Sequence, residues 1–141
     1  MQDQPKAVDL IAAVADFLRN QAMPELKGHT AFHARVAANA LDIVCRELEA
    51  APAAEAAEHA RLRALLGGDG SLEALNRSLC AAIAAGEMNL ETPGLADHLW
   101  TTTLAKLSID QPSYASYRRE RQGEAHGFRD AKGDQGLPDR A

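Results

Sequence analysis

The residues of this chain that could do chemistry fall into four groups, each matched against what its spacing would support. Glu55-x-x-Glu58-His59 is the nearest approach to a metal motif. A di-iron bundle needs a Glu-x-x-His on each of two helices, and only one partial copy is present. The zinc pattern His-x-x-Glu-His lacks its first histidine here. These three side chains are therefore expected to form a solvated helix face, and neither a metal nor a cofactor is expected. Gly67-Gly68-Asp69-Gly70 before Ser71 suggests a phosphate loop, but no strand precedes it and no Lys follows the glycines. A helix stop at Gly67 and an N-cap at Ser71 account for every residue in the run. His29, His33, His59, His98 and His126 are scattered, and Cys45 and Cys80 sit mid-helix, so no thiol–imidazole pair assembles.

The fourth group is the most informative. At 100° per residue, Arg35, Asn39, Asp42 and Arg46 share one stripe of a long helix, beside its apolar arc. His33 and Glu47 project inside that arc. Lys106 lies in the apolar arc of a later helix, one turn before Asp110. A buried carboxylate needs a partner, because an unpaired charge in a core costs several kcal/mol. The expectation is that Lys106 pairs with Glu47 or Asp110. Arg35, Asn39, Arg46, Glu47, Lys106 and Asp110 then form a polar network that is either structural or ligand-binding.

The elements that would carry these groups are all helical. Val8, Ile11, Val14, Ala15 and Leu18 recur at helical spacing after Asp3 and Pro5, and the helix is read to end near Ala22, with Asp9, Asp16 and Arg19 facing away from the core. A second helix is read from Thr30 to Ala50, its wide apolar arc placing it at the centre. Ala51-Pro52 is read as a break, and a third helix reaches Leu66. Ser71 opens a fourth that Gly86 stops, and Thr92-Pro93 opens a fifth ending at Asp110. After Pro112 the text turns polar, with Tyr114 and Tyr117 able to fold back. The reading is an all-α bundle of about five helices, antiparallel where connections are short, over residues 1–117, with a disordered polar tail over 118–141.

Composition supports one small domain. The chain has 141 residues, 46% hydrophobic and 25% charged but only 4% aromatic. Much of the apolar fraction is alanine, which implies close-packed helices around a thin core. Residues 111–141 carry six basic and five acidic side chains, leaving residues 1–110 with nine against fifteen. An acidic body disfavours nucleic acid and anionic membrane. The first residues lack the basic start and apolar run of a signal peptide, so a cytoplasmic protein is expected.

Three stretches together resemble a known family: Phe32-His33-Ala34-Arg35-Val36-Ala37-Ala38-Asn39-Ala40-Leu41, Ile43-Val44-Cys45-Arg46-Glu47-Leu48, and Thr102-Thr103-Leu104-Ala105-Lys106-Leu107-Ser108-Ile109-Asp110-Gln111-Pro112. They are similar to an uncharacterised bacterial family of small helical proteins, over roughly Asp9 to Tyr117. Its members are commonly encoded beside acyl-CoA dehydrogenases and kinases similar to aminoglycoside phosphotransferases. The resemblance implies a context in acyl-CoA metabolism and not a reaction. Its motif residues fall on the six polar positions singled out above. The function expected is a non-catalytic accessory or interaction protein, partnered by such a dehydrogenase or kinase. The alternatives are a module or enzyme for an anionic acyl or phosphorylated metabolite, and self-association as a homodimer through an exposed apolar face.

Overall fold

A computed structural model describes residues 4–123. Within them the chain forms five helical arms and no strand. The first arm comprises α1 (Ala7–Phe17), a wide π-helical turn (Leu18–Ala22) and the single turn α2 (Met23–Glu25), with Pro24 in its first turn. The spine is α3 (Gly28–Leu66), 39 residues long. It is followed by α4 (Leu72–Ala84), α5 (Leu95–Asp110) and the short α6 (Ala115–Arg121). The all-α expectation holds, and the long central helix is where the apolar arc put it.

Several local expectations are corrected. Pro52 does not break the chain but lies inside α3. A mid-helix proline removes one backbone bond and crowds the preceding turn, at a cost of about 3 kcal/mol. Here α5 runs antiparallel along α3 as a splint across that point. Arg46 Nε donates to the Ile109 carbonyl at 2.6 Å, and Arg61 donates to Thr102 Oγ1 at 3.2 Å. The two anchor points lie on opposite sides of Pro52, so α5 ties both halves of α3 together.

Thr92-Pro93 does not open α5 either. Thr92 Oγ1 accepts from the Asn89 amide at 3.0 Å within a turn, and Gly94 caps the helix at φ 84°. Only glycine adopts that conformation cheaply, and a Cβ there would meet Leu65 Cδ2 at 3.3 Å. The first helix starts at Ala7, with the Lys6 amide donating to Asp9 Oδ2 at 2.9 Å, so Asp9 supplies the acidic cap. Asp3 lies outside the described residues. Gly67, at φ 66°, ends α3, and Ser71 Oγ accepts from the Ala74 amide at 3.2 Å, both as read. α6 continues across position 118, where the tail was read to begin, and residues 124–141 of that tail lie outside the described residues.

The core is thin and lies at one end. Leu62, Leu75, Leu79 and Leu95 interlock where α3, α4 and α5 meet, with Leu66, Leu72 and Met88 packed around them. At the other end α1 meets the N-terminal half of α3 through Ala15 and Ala38, both almost fully buried. Two alanines let backbones approach closely but bury little area. Polar contacts supplement that contact. The Arg19 guanidinium pairs with the Asp42 carboxylate and donates to the Ala38 carbonyl at 3.1 Å. Arg19 thus points at α3, not away from the core as its position on the first helix suggested. Tyr117 is buried as α6 folds back, fastened by Trp100 Nε1 donating to Glu120 at 3.1 Å, while Tyr114 stays half exposed.

Candidate functional site

The polar groups that the structure does bring together are Glu58, Arg61, Asn76, His98 and Thr102, around the leucine core. Glu58 and Arg61 lie on adjacent faces of α3. Asn76 Nδ2, from α4, donates to Glu58 Oε1 at 2.8 Å and to the Leu72 carbonyl at 3.1 Å. His98 is one turn after Leu95 on α5 and shares its buried face, at 2% exposure. Its Nδ1 and the Arg61 Nε are buried without a hydrogen-bond partner. Burial pushes the imidazole below its ordinary pKa, the Arg61 charge pushes it the same way, and the Glu58 carboxylate opposes both. The histidine is therefore held neutral at pH 7.

The bonds of Asn76 to Glu58 and of Arg61 to Thr102 tie α3 to α4 and α5 and hold their register. One open surface cleft is lined by Pro112, Ser113, Tyr117, Arg118, Arg121 and Gln122, another by the α3–α4 corner around Arg63 and Asp69, and neither is lined by a residue of this cluster. Among the described residues no group of three or more His, Cys, Asp or Glu side chains could hold a metal ion. His59 Nε2 lies 2.7 Å from the Gly70 carbonyl, and with Glu58 it is half-buried between α3 and α4. Of the expected solvated face, only Glu55 is exposed. Cys45 is half-buried, its Sγ 3.8 Å from the Val8 carbonyl, and Cys80 is exposed; both are free thiols.

Among the described residues, no hydrogen bond or ion pair joins any two of the six residues singled out in the sequence. Glu47, Lys106 and Asp110 are each exposed, and none makes a side-chain hydrogen bond or ion pair among the described residues. The expected buried pairing of Lys106 with Glu47 or Asp110 is overturned. Arg35 is exposed as well. Asn39 is exposed and accepts a long contact from Arg19 at 3.5 Å, and Arg46 is engaged by the Ile109 carbonyl. Glu47 stays exposed because the apolar arc of α3 that holds it and His33 has, among the described residues, no helix over it. Sequence reasoning missed Arg61 and His98 as a pair. The available signal was the spacing Leu95–His98–Thr102, which puts the histidine on the inner stripe of α5.

Residues 24–114 match the family model described as a domain of unknown function (DUF6285). The chain belongs to this family. The match takes in all of α3, α4 and α5, and with them Glu58, Arg61 and the buried His98, and the three stretches that carry the resemblance noted above. No curated protein and no solved structure matches the chain significantly. Among the described residues, no helix is long and apolar enough to cross a membrane.

Proposed function

We propose that this chain is a non-catalytic accessory protein that works by binding other proteins. One observation carries the reading. Among the described residues seven apolar side chains are buried, whereas twelve large ones stand exposed, from Leu10, Val14 and Phe17 on α1 to Leu99 and Trp100 on α5. Leu10, Val14 and Phe17 fall on one face of α1, and an exposed apolar stripe of this kind marks an interaction site, because leaving it in water costs about 25 cal/mol per Å². The partner class implied by the family resemblance is an acyl-CoA dehydrogenase or a phosphotransferase-like kinase.

The rival reading, an anion-binding module, requires Arg35, Asn39, Arg46 and Lys106 to face one point. Their placement gives it no support: two of the cations stand in solvent and Arg46 is held by a backbone carbonyl. Affinity capture of the tagged chain at native expression tests the proposal. Recovery of either enzyme class is the expected result, and recovery of neither counts against it. A thermal-shift screen with acyl-CoAs and sugar phosphates tests the rival. At 100 times the dissociation constant a ligand stabilises by about 2.7 kcal/mol, and no shift is expected.

A further inference from the structure

Among the described residues, the N-terminal half of α3 is packed against the first arm on one flank. Ala38, Asp42 and Cys45 face α1, as the contacts of Arg19 and of the Cys45 thiol record. At 100° per residue, Phe32, Val36, Ala40, Val44 and Leu48 follow one another at four-residue intervals down a different flank, centred roughly opposite α1. All five are exposed, Phe32 at 59% and Val36 at 49%. On the neighbouring flank α5 reaches only as far as Arg46, where Ile109 ends its cover. An apolar ridge about 24 Å long, at 1.5 Å per residue, is left bare.

We propose that this ridge docks on the same ridge of a second copy, the two α3 helices crossing antiparallel at Ala40. The ridge is its own complement. A two-fold axis through Ala40 sets Val36 against Val44 and Phe32 against Leu48, in the reciprocal pattern that an isologous interface requires. The same operation sets His33 against Glu47. Both are exposed, and Glu47 has no ion-pair partner among the described residues. His33 meets only the edge of the adjacent Phe32 ring, at 5.5 Å between centroids. An antiparallel dimer gives both groups a partner twice over, the imidazole N–H donating to the carboxylate. Ala40, the smallest side chain of the ridge, falls at the crossing point, where small residues let backbones approach. Ridges at four-residue spacing interlock at a crossing of about −50°. Each copy carries a net charge of −5, so association needs such local complementarity against a general repulsion.

This inference is independent of which enzyme the protein serves: failure to capture a heterologous partner leaves the dimer standing, and a monomer leaves the capture result standing. Sedimentation of the full chain across micromolar concentrations tests it, with twice the 15.1 kDa chain mass expected. Ala40→Glu sets a charge against its own symmetry copy and should give a monomer with an unchanged helical circular dichroism spectrum. His33→Glu places like charges face to face and should raise the dimer dissociation constant about tenfold, or 1.4 kcal/mol. The swap His33→Glu with Glu47→Lys should recover wild-type association. A wild-type chain that stays monomeric, or a dimer indifferent to these changes, overturns the assignment.

Discussion

His98 is the residue whose surroundings most constrain its chemistry. Its pKa lies below the ordinary value of about 6.5 because burial and the Arg61 charge outweigh the Glu58 carboxylate. The unfolded chain binds the proton more readily than the folded one, so stability rises with pH through this window. The contribution is complete above about pH 6.5 and is lost as pH falls toward the depressed folded pKa. Urea denaturation at stepped pH should show the midpoint falling below pH 6.5, and His98→Phe should flatten that slope. Lys106→Met and Glu47→Gln should each change stability by less than about 0.5 kcal/mol, because both wild-type side chains already stand in water without a partner. Loss of several kcal/mol in either variant would contradict the exposed placement. Leu62→Ala, by contrast, empties a fully buried position and should cost about 2–5 kcal/mol.

At the scale of elements, α3 decides the architecture. Its proline is tolerated because α5 is anchored on both sides of it, at Arg46 and at Arg61. Pro52→Ala should restore the bond to the Leu48 carbonyl and relieve the ring clash. Chemical denaturation should show a gain of about 1–3 kcal/mol, at the lower end if α3 straightens away from α5. A loss would mean that the present path of α3 depends on the proline. The break read at Ala51-Pro52 follows the local rule correctly, and tertiary packing overrides it. The caps illustrate the opposite case. Gly67 and Ser71 act through hydrogen bonds within a few residues of themselves, and local text is enough to read them.

The whole molecule has two unequal ends. Four interlocked leucines hold α3, α4 and α5 together at one end, whereas two alanines and the Arg19–Asp42 contacts hold α1 to α3 at the other. Cooperative units with few buried apolar contacts open first. Hydrogen exchange should therefore leave amides of residues 58–66 and 75–79 protected longest, with those of residues 7–17 exchanging early. Slow exchange in α1 matching the leucine core would show one cooperative unit instead. The bare ridge from Phe32 to Leu48 belongs to the weaker end, where the chain has least to cover it.

Helix type, helix faces and most helix ends were determined by the sequence, because periodicity, caps and glycine conformations act over one or two turns. Arg35, Asn39, Asp42 and Arg46 do share a stripe, and the second stretch of helix is the centre of the bundle. Which faces are covered was decided only by the tertiary structure. An apolar arc shows that a face resists water but does not show what lies against it. Glu47 and Lys106 sit within such arcs and yet stand exposed. His98 and Arg61 meet inside the core because an antiparallel register, set by packing over 37 residues of separation, brings them together. Contacts that distant depend on where whole helices come to rest, and no spacing within a single helix encodes that.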